Sequence, residues 1–150
     1  MIKLGTIGTS GICEQFLSGV ALTNQFVLSA VYSRTYETGY AFGTKFGCST
    51  VFTDLEEMAK SPLLDAVYIA SPNRFHYSQS KIFLENGKHV LCEKPMVTSL
   101  DEYRELKALA DKNGLIYMEA IMPPHTEHYA KVKEAFSKIG KPVSARFDFS

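Results

Sequence analysis

Short apolar runs alternate with helix-like stretches from the first residue to about residue 119, and this alternation leaves few architectures open. Ile2–Ile7, Phe26–Tyr32, Ala66–Ala70, His89–Cys92 and Leu115–Met118 read as strands, with a shorter one at Thr50–Phe52. They are apolar along their length, as strands buried on both faces must be. Between them lie helical stretches. Gly11 to about Thr23 carries Ile12, Phe16, Leu17 and Val20 towards one face, and Glu37–Phe46 and Phe75–Asn86 follow. Thr53 with Glu56, and Ser99 with Glu102, read as capping boxes that start two more helices. The second of these places Leu100, Tyr103, Leu106 and Ala110 on one face. Gly47, Gly87 and Gly114 stand where glycine closes a helix. Strand and helix in strict alternation with short connections predict an α/β fold, a doubly wound parallel sheet with helices on both faces.

The pattern changes after Glu119. Met122-Pro123-Pro124 interrupts regular structure, and Thr126–Lys138 reads as a helix followed by Gly140. Val143–Phe149 then alternates apolar and polar residues, the mark of a half-exposed, antiparallel-type strand. The expected organisation is therefore one domain over residues 1–121. Residues 122–150 then supply a linker helix and the first strand of a second α+β domain.

Sixteen basic and sixteen acidic residues cancel, so nothing electrostatic argues for nucleic acid or an anionic membrane as partner. No apolar run approaches the roughly 20 residues of a membrane span, and Gly5, Thr6, Gly8, Thr9 and Ser10 break the apolar start, so no export signal is read. Cys13, Cys48 and Cys92 are odd in number, widely spaced and form no CxxC pair, which argues against zinc and a disulfide framework. A cytoplasmic setting follows as the expectation. His125 and His128 sit three apart with no third ligand nearby in sequence, and we assign them no metal.

The first strand runs into Gly8-Thr9-Ser10-Gly11-Ile12-Cys13. A strand, a glycine turn and a helix start together make an anion site of backbone N–H groups and helix dipole, suited to a pyrophosphate. In the frame of the dinucleotide fingerprint G-x-G-x-x-G, Ser10 stands for the second glycine and Cys13 for the third, with Gly11 one position off. The same residues also suit a plain strand-to-helix turn. The second strand ends at Ser33-Arg34, where an acid would favour NAD; the guanidinium can instead pair with a 2′-phosphate, which favours NADP.

Two further loops follow strands on the same edge, where ligands of doubly wound sheets bind. Ala70-Ser71-Pro72-Asn73, with His76, is placed to line the nicotinamide side of a cofactor, though it also reads as an ordinary turn. Glu93-Lys94-Pro95 puts two charges directly after a buried strand. A lysine there can donate to a substrate hydroxyl or developing alkoxide, while a solvated surface pair is the plainer reading.

The first-strand turn, Ser33-Arg34, Ser71-Pro72-Asn73 with His76, and Gly87-Lys88-His89-Val90-Leu91-Cys92-Glu93-Lys94-Pro95 stand in order. Together they resemble the glucose–fructose oxidoreductase and inositol dehydrogenase family (Gfo/Idh/MocA). Met118-Glu119-Ala120-Ile121-Met122 is similar to its dihydrodiol and xylose dehydrogenase branch. The resemblance implies an NAD(P)-binding Rossmann domain followed by a substrate domain. It implies hydride exchange between NADP or NAD and a sugar, polyol or dihydrodiol, and self-association through the second domain. It makes Lys94 the catalytic residue. Gly8, Thr9, Ser10, Gly11, Ile12, Ser33, Arg34, Ala70, Ser71, Pro72, Asn73, His76, Glu93, Lys94 and Pro95 become the cofactor-binding residues. The family's remaining catalytic residues, commonly an Asp and a His, come from the second domain. A dinucleotide-binding module without catalysis, or an NADP sensor, remains the alternative.

Overall fold

A computed structural model describes residues 1–146 and divides the chain into two compact units that meet between Ala120 and Ile121. In the first unit six strands form one sheet: β1 (Ile2–Ile7), β2 (Phe26–Tyr32), β3 (Val51–Phe52), β4 (Ala66–Ile69), β5 (His89–Glu93) and β6 (Tyr117–Ala120). Their spatial order is β3-β2-β1-β4-β5-β6, and every pairing is parallel. The chain winds outwards twice from β1, so the order reverses between β1 and β4 and opens a crevice beyond their carboxyl ends.

Alternate residues along each strand serve two cores. Ile7, Ala30, Val67, Ile69, Val90 and Cys92 face one side, where they pack with Met58, Phe83, Leu84 and Leu106. These partners come from α3 (Leu55–Lys60), α4 (His76–Glu85) and α5 (Leu100–Lys112). Leu4, Val31 and Tyr68 face the other side and meet Cys13, Leu17 and Phe42, which belong to α1 (Gly11–Ala21) and α2 (Tyr36–Gly43). Two-sided burial is why these strands lack polar alternation.

Several local expectations shift. The buried face of α1 is Cys13 and Leu17, with Phe16 and Val20 half-buried, while Ile12 is exposed. The stretch from Glu37 to Phe46 divides into α2 and a 3₁₀ turn, Thr44–Phe46, before Gly47 closes it at φ 75°. The cap of α3 is Asp54, whose carboxylate accepts from Glu57 N, rather than Thr53. Asp is the stronger cap and its frame brings Met58 and Ala59 into the core. The Ser99–Glu102 capping box is present, but Leu100 and Tyr103 are exposed and α5 is anchored by Leu106 and Ala110. The last strand begins two residues later than expected, at Tyr117.

In the second unit a 3₁₀ turn, Pro123–His125, leads to α6 (Glu127–Phe136), capped by the Thr126 hydroxyl, which accepts from Tyr129 N. Residues 143–146 form no strand; the remainder of the expected Val143–Phe149 strand lies outside the described residues. Among the described residues no helix is long and apolar enough to cross a membrane.

Candidate functional site

Gly8 lies just beyond β1, where the chain passes close to the end of β4. Its φ is 112°, and a Cβ there would stand 2.9 Å from the carbonyl oxygen of Ala70 at the end of β4. Only glycine fits both the backbone conformation and the approach of the two strand ends. The chain then enters α1 at Ser10. Its hydroxyl lies 3.8 Å from Cys13 Sγ, directed at the sulfur rather than at a first-turn N–H. The first intrahelical donor is Glu14 N, 3.2 Å from Ser10 O. The N–H groups of Gly11, Ile12 and Cys13 therefore precede the helical ladder and make the positive end of the helix.

Cys13 is fully buried and seats α1 against the sheet, with its sulfur 3.4 Å from a Cβ placed on Gly8. Close helix–strand packing is the task of the fingerprint's third glycine, and here a small thiol does it. Burial raises the Cys13 thiol above its ordinary range, so it stays protonated and acts as an apolar filler.

The loops after β4 and β5 close the other side. Ile12, Ala70, Ser71, Asn73, His76, Glu93 and Lys94 line one cleft of about 300 Å³. The structure thus gathers residues from three separate strand ends. Pro72 begins the 3₁₀ turn Asn73–Phe75 that leads into α4. Thr9 lies apart from this cleft, lining a neighbouring one of about 430 Å³ with Glu37, Thr38, Ala41, Phe42 and Lys45. Ser33 and Arg34 line neither. Ser33 is buried, its N–H donating to Phe52 O at 3.1 Å, and Arg34 is exposed beside it at the start of the loop into α2.

His76 is 1% exposed, and both ring nitrogens are engaged: Nδ1 stands 2.8 Å from Pro95 O and Nε2 2.8 Å from Ser71 O. The imidazole ties the two loops to each other. Ser71 also donates from its hydroxyl to Gln79 Oε1 at 2.6 Å, which fixes the first loop on α4.

Glu93 is held by a residue that sequence reasoning passed over. The Tyr68 hydroxyl, reaching across from β4, donates to Glu93 Oε1 at 2.6 Å, while Oε2 accepts from Lys94 N at 3.3 Å. Phe16 stacks on the Tyr68 ring at 3.8 Å between centroids. Burial, reinforced by the Glu93 carboxylate, pushes the Tyr68 phenol above its ordinary range, so it remains a donor. The second overlooked residue is Glu119, near the end of β6, whose Oε1 accepts from Met96 N at 2.9 Å. Its signal was present in the sequence, since an acid at the carboxyl end of an apolar strand sits where ligands bind.

This geometry fits a dinucleotide. A glycine cradle meets the positive end of a helix, and a cleft with a few convergent polar groups lies beside them. The chain also matches proteins that use one. It is 42% identical over 140 residues to scyllo-inositol 2-dehydrogenase (NADP(+)) IolU of Bacillus subtilis, covering 93% of this chain and 43% of that protein. It is 32% identical over 152 residues to D-xylose 1-dehydrogenase (NADP(+)) 2 of Haloferax volcanii, covering 99% and 46%. The solved structure of KijD10, a 3-ketoreductase from Actinomadura kijaniata in complex with NADP and TDP-benzene, superposes with a TM-score of 0.86 at 28% identity, covering 91% of this chain and 42% of that one. The chain thus spans less than half the length of these relatives. Residues 2–121 match the GFO_IDH_MocA family, an oxidoreductase family with an NAD-binding Rossmann fold. The chain belongs to that family.

Proposed function

We propose that this chain is the cofactor-binding half of an NADP-dependent oxidoreductase acting on a sugar, polyol or dihydrodiol. The observation that carries the reading is the cleft in which Lys94 and Glu93 meet the Ser71 loop and the start of α1. In this reading the turn from Gly8 to Ile12 binds the pyrophosphate, with the glycine cradle allowing close approach. Ser33 and Arg34 take the adenosine ribose and its 2′-phosphate. Ala70, Ser71, Pro72 and Asn73 line the nicotinamide side, and Pro95 and His76 shape that wall. The nicotinamide, when bound, supplies or accepts the hydride.

The rest of the chemistry falls to the chain. Lys94 is exposed in the cleft, beyond the end of β5. Its ammonium donates to the substrate oxygen, orienting it and stabilising negative charge as it develops. Glu93, held by Tyr68, borders the same wall and limits the movement of the turn. A second domain, of the length the relatives carry, completes the substrate pocket and supports self-association. The setting is cytoplasmic.

Two measurements on the full-length protein test this. Lys94→Ala should lower kcat by about 100-fold or more while the NADP Kd stays within about twofold; unchanged turnover removes Lys94 from the reaction. NADP should bind more tightly than NAD in a fluorescence titration, and Arg34→Ala should weaken NADP by about 10-fold or more with little effect on NAD. Tighter binding of NAD by the parent protein overturns the assignment of Arg34.

A further inference from the structure

The Lys94 ammonium has no hydrogen-bond or ion-pair partner among the described residues, so its aim is set by the backbone that carries it. Pro95 has no N–H. The first two backbone groups after Lys94 able to hydrogen-bond are therefore the Pro95 carbonyl and the Met96 N–H. Each is held by a side chain from a different part of the fold. His76 Nδ1 reaches the carbonyl at 2.8 Å from the start of α4, and Glu119 Oε1 accepts the N–H at 2.9 Å from β6. The Met96 side chain is buried in the core, which fixes the turn's exit as well.

Glutamate is a poor strand residue, and this one gives a carboxylate oxygen to a single turn amide. A charge-assisted bond of this kind is stronger than a neutral one. We propose that Glu119 is a positioning residue for the reaction. It acts through the Met96 amide to hold Lys94 in place, with His76 bracing the other side of the turn. This inference rests on Lys94 contacting the substrate, as proposed above. A misplacement of about 1 Å in a reacting group costs on the order of 100-fold in rate, so a clamp two residues away is felt in kcat.

The test uses the full-length protein with Glu119→Gln, Glu119→Met, Lys94→Ala and the Glu119→Met/Lys94→Ala double variant. Gln retains an acceptor oxygen; Met keeps the length of the side chain without one. Glu119→Met should lower kcat by about 10-fold or more with NADP Kd within about twofold, and exchange of the Met96 amide should accelerate. Glu119→Gln should restore kcat to within about threefold of the parent and slow that exchange again. In the Lys94→Ala background Glu119→Met should have no further effect on kcat, because both act at one point. The clamp is overturned if Glu119→Met leaves kcat within twofold, if Gln is no better than Met, if cofactor binding is lost along with turnover, or if the two substitutions multiply. Lys94→Ala separates the layers: turnover lost there but intact in Glu119→Met refutes the clamp and leaves Lys94's role standing. Turnover intact in Lys94→Ala refutes the role itself.

Discussion

Tyr68 and Glu93 lie on neighbouring strands, and the phenol of one closes on the carboxylate of the other at 2.6 Å across the carboxyl end of the sheet. Tyr68→Phe keeps the stack on Phe16 and removes only this bond. The loss should be about 1.5–3 kcal/mol in urea unfolding, the range for a hydrogen bond to a charged acceptor. A change below a few tenths of a kcal/mol would show that water replaces the phenol at no cost.

Gly8→Ala meets two obstacles at once: a φ of 112° and a carbonyl oxygen 2.9 Å from the new Cβ. Backbone strain of this kind costs about 1–3 kcal/mol. Thermal melting should register it, and NADP titration should show binding lost. A variant that melts as the parent does and binds NADP equally well would remove Gly8 from the site.

The capping box of α5 is unequal in its two halves. Ser99 Oγ accepts one N–H, from Glu102 at 3.2 Å. Glu102 Oε2 accepts from Thr98 N at 2.9 Å, Thr98 Oγ1 at 3.1 Å and Ser99 N at 3.2 Å. Ser99→Ala should cost about 1 kcal/mol, and Glu102→Ala more than that. Equal urea midpoints for the two variants would contradict the asymmetry.

Burial pushes the Cys92 thiol from 9.0 up to about 12. The folded state therefore keeps its proton to higher pH than the unfolded chain does. The stability this contributes is complete below about pH 9 and is lost as pH rises from 9 towards 12. A single group accounts for at most about 1.4 kcal/mol per pH unit. Cys92→Ala should flatten the fall in urea midpoint between pH 9 and 11; an unaltered slope would place its cause elsewhere. Cys13, Cys48 and Cys92 are all buried with raised thiols, so iodoacetamide at pH 8 should label none of them until the protein is unfolded.

The strands were legible because burial on both faces leaves a simple signal: β1 and β2 begin and end at the residues their apolar runs mark. Helix faces were less so. Leu100 and Tyr103 fit the apolar period of α5, yet both are exposed, and the helix is held in the core by Leu106 and Ala110. The glycine turn could be placed from sequence, and with it Cys13 at the position of the fingerprint's third glycine. That its thiol is fully buried and packs beside Gly8 is a matter of tertiary packing, which only the fold shows. Glu119 carried a signal, as an acid at the carboxyl end of a strand, but its partner did not, and Tyr68 gave no signal of its own. Their partners are 23 and 25 residues away along the chain, and only the stacking of strand ends brings them together.

The strand order also governs when the domain can form. Because all neighbours are parallel, no pair in this sheet zips up through a tight hairpin. The central pairing joins Leu4 to Ala66 and Ile7 to Ile69, so the middle of the sheet waits until the chain has reached its fourth strand. Loops of that span are closed before any contact repays them, which makes such topologies slow folders. During synthesis the nascent chain must carry β1 and β2 unprotected through some tens of residues, an interval in which chaperones can engage it.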